Sequence, residues 1–101
     1  MTAHLYWASA AFQISADIDF PREVHMVAAG DFSGAGSAVL RGALTRVASM
    51  PMPVSLDASK VTALSADAAR AVVERSRNMV RPLTVEAVSV AAAQLLSLAA
   101  A

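Results

Sequence analysis

Phe12 and Ile14 alternate with Gln13 and Ser15, the period-two rhythm of a half-buried strand. Asp19–Glu23 holds Pro21 and reads as a turn. Val24, Met26 and Ala28 then alternate with His25, Val27 and Ala29. Together the two runs predict an antiparallel hairpin with a five-residue connection. Gly30–Gly36 follows as a glycine-rich stretch, with Ser33 placed to cap what comes next. Leu40, Ala43, Leu44 and Val47 recur at i, i+3, i+4 and i+7, and Arg41, Thr45 and Arg46 fall outside that stripe. This is an amphipathic helix, and it should stop before Pro51 and Pro53.

Val54-Ser55-Leu56 reads as a short strand entering Asp57, followed by a loop. Ser65 is placed to cap a second helix running to about Met79. The expected buried face of that helix carries Ala69, Val72, Val73 and Met79. Arg70, Glu74, Arg77 and Arg81 lie opposite, with Glu74 spaced to pair with Arg70 and Arg77. Pro82 should end it. Leu83, Val85 and Ala87 alternate with Thr84 and Glu86 in a last strand, and a third helix covers Val90 to about Ala100 with Ser89 as its cap. The order is β-β-α-β-α-β-α. Strands joined through helices are usually parallel, so the pattern predicts one α/β domain over residues 1–101, with a mixed sheet of about four strands flanked by helices.

Composition narrows the function. With 8 basic and 8 acidic side chains the formal net charge is zero, which argues against nucleic acid and removes an electrostatic pull toward anionic membranes. The absence of cysteine removes thiolate chemistry and disulfides and fits a cytoplasmic setting. Met1–Phe12 has neither the basic nor the apolar segment of a secretion signal. Ser89–Ala101 is apolar but too short to span a bilayer. His4 and His25 have no acidic partners at ligand spacing, so no metal or cofactor is expected. Gly30, Gly34 and Gly36 fit neither a dinucleotide nor a Walker pattern and read as turn glycines. Tyr6 and Trp7 read as core or dimer packing.

Three stretches carry a resemblance. Gly30-Asp31-Phe32-Ser33 precedes the first helix. Leu56-Asp57-Ala58-Ser59-Lys60-Val61-Thr62-Ala63-Leu64 leads to the second, and Leu83-Thr84-Val85-Glu86-Ala87-Val88 precedes the third. In order and spacing they resemble the STAS domains, named from sulphate transporters and anti-sigma factor antagonists. The resemblance covers roughly residues 12–100. Those domains usually carry G-x-L-D at the first place and L-D-x-S-x-V-x-x-[IL]-D-S-[ST]-G at the second.

The chain departs from the family at Ser65-Ala66-Asp67-Ala68, where the family has Asp-Ser-[Ser/Thr]-Gly with its phosphorylated hydroxyl. Ala66 has no hydroxyl and Asp67 is a carboxylate. Asp67 fits the first turn of a helix through the macrodipole alone, and it also sits where the family carries a phosphate. Ser65 is an N-cap before it is an alternative phosphosite. Asp57, at the expected end of a strand, reads as a turn former before a binding group.

The resemblance implies a non-enzymatic, cytoplasmic regulatory module that binds an anti-sigma factor of the serine-kinase type. By position, its contact residues would be Asp31, Ser33, Ser59, Ser65, Ala66 and Asp67. It also implies two alternatives: a STAS subunit bound to the transporter ATPase of a bacterial lipid-transport complex, and a sensor of a small ligand such as a nucleotide or lipid.

Overall fold

The structure, a computed structural model, describes residues 1–78 and 83–100. The chain runs β1 (Thr2–Ala8), β2 (Phe12–Asp19), β3 (Glu23–Phe32), α1 (Ala35–Ala48), β4 (Val54–Leu64), α2 (Ala66–Asn78), β5 (Leu83–Val88) and α3 (Val90–Ala100). The fold is α/β, but its mixed sheet has five strands rather than four, in the order β1-β2-β3-β4-β5. β1, β2 and β3 pair antiparallel, while β3, β4 and β5 are parallel.

A sheet laid down in chain order with right-handed crossovers puts its connecting helices on one face. Burial follows that rule. Ile14, Met26 and Leu56 point to the covered face and are almost fully buried, whereas Ser15, His25 and Ser55 on the opposite face are not. The shortest dimension of the molecule, 20 Å, is room for one sheet and one helix layer.

The hairpin forms as its alternation predicts, but Asp19 pairs directly with Glu23, so the connection is three residues, Phe20 to Arg22. In α1, Leu40, Ala43, Leu44 and Val47 are all buried against the sheet. Its N-cap is Gly34, with no side-chain cap; Ser33 instead gives its hydroxyl and its N–H to the Asp31 carboxylate. Ser65 does cap α2, since the Ala68 N–H donates to its Oγ at 3.0 Å. Ser89 caps α3 through the Ala92 N–H at 3.2 Å and donates its own hydroxyl to the Val61 carbonyl at 2.6 Å.

β4 departs most from expectation. It continues through Asp57 and the anticipated loop to Leu64. Pairing with β3 slips twice, between Val27 and Ala29 and between Gly30 and Asp31, each time placing one extra residue on β4. Each β-bulge reverses which face the following side chains take. The buried positions of β4 therefore run Leu56, Ala58, Val61, Leu64 instead of alternating.

On α2 the buried positions are Ala68, Ala69 and Val72, and Val73 is only half-buried. Arg70 pairs with Asp67 at 3.5 Å rather than with Glu74, and Arg77 donates to the Ala100 carbonyl at 3.1 Å. Met79, Arg81 and Pro82 lie outside the described residues.

Two glycines are required by close approach rather than by turns. Gly30 lies within β3 at φ 102°, and a Cβ there would stand 2.8 Å from the Phe12 Cα. A Cβ on Gly36, in the first turn of α1, would stand 2.7 Å from the Asp31 carbonyl oxygen and 3.0 Å from Phe12 Cδ1. Both let the chain close over the Phe12–Phe32 ring pair, whose centroids are 5.5 Å apart.

Candidate functional site

The carboxyl ends of β3 and β4 meet the N-termini of α1 and α2. Asp31 pairs with Ala63 and Phe32 with Leu64, so both strands finish at the same level. Beyond them the Ser65 N–H donates to the Phe32 carbonyl at 3.1 Å, which ties one loop to the other. The Ser65 and Ser37 hydroxyls lie 2.8 Å apart and connect the two helix starts. Asp31, Ser33, Ala66 and Asp67 are exposed around this junction, and Ser65 is half-buried beneath them.

Asp31 is held in one geometry by Ser33. The Ser33 hydroxyl donates to it at 2.5 Å and the Ser33 N–H at 2.8 Å. Hydrogen bonds to the charged form favour it, so first the hydroxyl and then the N–H lower the Asp31 pKa from its ordinary value. Asp67 stands free of the strand ends and meets Arg70 one turn along, a pair too exposed to contribute much. The Ser65 hydroxyl is already engaged on both sides, by the Ala68 N–H and by Ser37.

Five of the six sequence-derived contact residues thus gather at one edge. Ser59 does not join them; it is exposed at the first bulge of β4, where its N–H donates to Asp57 Oδ1 at 2.9 Å. Asp57 accordingly does not end a strand. It makes a side-chain turn over the bulge, and Ser59, through its hydroxyl and then its N–H, lowers the Asp57 pKa, with His25 and Lys60 adding to the shift.

The uncovered face of the sheet carries a second arrangement. Register sets His4 opposite Asp17, Asp17 opposite His25, and His25 opposite Ser55, a polar row crossing four strands. His4 Nδ1 lies 2.5 Å from Asp17 Oδ1, and His25 Nδ1 lies 2.8 Å from Ser55 Oγ. These pairs are between strands, so residue spacing along the chain could not have found them; only the register does. His25 and Ser55 resemble a base and a nucleophile, but the nearest acid, Glu86 at 3.9 Å, faces the same ring nitrogen. In a relay the acid holds the other nitrogen, so this is not a charge-relay geometry. Among the described residues no three His, Asp or Glu side chains are placed to hold one metal ion.

The zero net charge hides a separation. Arg41, Arg46, Arg70, Arg75 and Arg77 lie on α1 and α2 against Asp67 and Glu74, while Asp17, Asp19, Glu23, Asp31, Asp57 and Glu86 lie on the strands against Lys60. The helix layer is basic and the sheet is acidic. An apolar groove of about 350 Å³ opens between α2, β5 and α3, lined by Val72, Val73, Val85, Val88 and Leu96. Among the described residues no helix is long and apolar enough to cross a membrane.

Comparison with family models, with curated proteins and with solved structures finds no match to this chain.

Proposed function

We propose that the chain is a regulatory protein-binding module of the anti-sigma factor antagonist type, working without a Ser/Thr phosphorylation cycle. The observation that carries the reading is the polar edge formed by Asp31, Ser33, Ala66 and Asp67 around the α2 N-terminus. This edge is exposed, it is braced from below by Ser65, and it is where the STAS resemblance sets its partner contacts. The lack of a switch follows from the side chains there. Ala66 offers no hydroxyl, and the Ser65 hydroxyl is half-buried and already engaged by the Ala68 N–H and by Ser37.

Such a module acts by mass action: it needs only to bind the free anti-sigma factor better than the competing sigma factor does. Ser59, far back along β4, is not needed in this interface. The test is capture of partners from the host's own extract on the immobilised protein, with Asp31→Ala as the comparison. The expected outcome is a histidine-kinase-like ATPase retained by the wild type and lost with the variant. Retention of a transporter ATPase would shift the reading to the transport subunit. A small apolar molecule carried through purification would shift it to ligand sensing in the groove beside Leu96.

A further inference from the structure

We propose that β1 pairs with β1 of a second copy of this chain, antiparallel about a two-fold axis at Leu5. Two five-stranded sheets would then join into one continuous sheet.

β1 is an edge of the sheet, paired on one side with β2. The ends of that pairing show which backbone groups it uses. Met1 exchanges both of its bonds with Phe20, the N–H of Ser9 donates to the Phe12 carbonyl, and paired residues in an antiparallel ladder alternate between bonded and non-bonded. Odd-numbered residues of β1 therefore turn their N–H and C=O groups toward β2. Thr2, His4, Tyr6 and Ala8 turn theirs outward, where no described strand meets them.

Natural sheet edges are usually guarded by Lys, Pro, charge or a bulge. β1 has none of these: Thr-Ala-His-Leu-Tyr-Trp-Ala contains no acidic residue, lysine, arginine or proline, and its register with β2 is unbroken. The opposite edge strand, β5, carries Glu86 and follows Pro82 in sequence. The face of β1 that continues the core is also unfinished. α1 packs on β2 and β3, and outboard of it Leu5, Trp7 and Ile18 remain only half-buried.

The occupant that fits is the strand itself. Pairing centred on Leu5 sets His4 against Tyr6 of the second copy and Thr2 against its Ala8. All of these are outward-facing residues, so the outer groups satisfy one another in about eight main-chain bonds. On the core side Leu5 meets Leu5, and Trp7 meets Ala3, large against small, in the closer non-bonded pairs. No like charges are set opposite each other. Shifting the axis by one residue in either direction keeps the faces matched but shortens the pairing and sets His4 against His4 or Tyr6 against Tyr6.

Light scattering on the wild-type protein at micromolar concentration should give twice the 10.4 kDa chain mass. The chain has no cysteine, so single introduced thiols report proximity directly. Leu5→Cys should form a disulfide-linked dimer under mild oxidation at least about tenfold faster than Ala3→Cys. In this register two copies of residue 3 stand roughly 13 Å apart along the strands, beyond disulfide reach. Should Leu5→Cys fail to fold by circular dichroism, a mixture of Ala3→Cys and Trp7→Cys proteins decides, because these should link to each other faster than to themselves. A monomeric wild type overturns the proposal. So does a dimer that links through Leu98→Cys on α3 rather than through β1, or one that links at residues 3, 5 and 7 alike.

Discussion

The Ser37 hydroxyl lies 2.8 Å from the Ser65 hydroxyl and joins the first turn of α1 to the cap of α2. The contact links two helix starts that are separated in sequence by the whole of β4. It sets the spacing of the two loops that carry the proposed binding edge. Ser65 is the more committed of the pair, since it also accepts the Ala68 N–H and donates its own N–H to Phe32.

Ser65→Ala is therefore expected to destabilise the fold by about 1 kcal/mol for the lost cap, and by up to about 1 kcal/mol more for the stranded Ser37 hydroxyl. Ser37→Ala removes one neutral bond and should cost less. The double variant should fall short of the sum, because both changes delete the same contact. Urea midpoints for the three proteins check this. A midpoint for Ser65→Ala equal to wild type would show that the hydroxyl does not cap.

The glycines give a prediction with opposite signs. Gly30→Ala places a Cβ against the backbone of Ala11 and Phe12 at a positive φ, and should cost at least about 2 kcal/mol. Gly42 is exposed within α1 and a Cβ there meets nothing within 4 Å. Gly42→Ala should stabilise by roughly 0.5–1 kcal/mol through helix propensity. Thermal unfolding of the two variants beside wild type separates the effects, and equal shifts would contradict the close approach at Gly30.

Asp31 and Asp57 carry the pH dependence. Both have folded-state pKa values lowered by hydrogen bonds from a serine two residues on. A lowered carboxylate pKa contributes stability that is fully present above the unfolded value of about 3.9 and is lost as pH falls through the folded value. The acid limb of a stability curve should therefore flatten in Asp31→Asn and Asp57→Asn. NMR titration of the two carboxyl carbons should give midpoints below that of a peptide aspartate. Midpoints at or above it would show that the serine bonds do not form in solution.

Where one periodicity ran unbroken, the element was legible from sequence. The Leu40–Val47 stripe, the β2–β3 alternation and the caps at Ser65 and Ser89 appear where spacing and side-chain chemistry put them. β4 was legible only as Val54–Leu56, because its two bulges turn the apolar spacing from two to three residues at Ala58, Val61 and Leu64. That spacing has no strand signature. β1 had one, in Ala3, Leu5 and Trp7 against Thr2, His4 and Tyr6, but an edge strand that buries so little gives a weak pattern. Of the candidate edge, five residues converged because the motif ends of two parallel strands must share one end of the sheet. Ser59 did not, since its neighbour Asp57 lies within a strand rather than at its end. The His25–Ser55 and His4–Asp17 pairs depend on register between distant segments, which no local pattern encodes.

Asp67 tests the proposed function most directly. It is exposed in the first turn of α2, where a carboxylate interacts favourably with the unpaired N–H groups, and it lies 3.5 Å from Arg70. If it imitates the family's phosphate, it holds the protein in a weak-binding form and Asp67→Ser should tighten the complex. One charge and two oxygens replace a phosphate's near-double charge and three acceptor oxygens, so any imitation is incomplete. Arg70 further offsets the carboxylate from within the same helix. Asp67→Ser is accordingly expected to cost a few tenths of a kcal/mol in stability and to change partner affinity by less than about tenfold, or about 1.4 kcal/mol. Arg70→Ala should leave affinity within the same range, because it removes only the offset. Calorimetric titration of the captured partner against wild type, Asp67→Ser and Arg70→Ala decides the matter. A gain of two orders of magnitude on substituting Asp67 would mean that the carboxylate acts as a permanent lock, and that the chain is the inhibited form of such a module rather than its constitutive one.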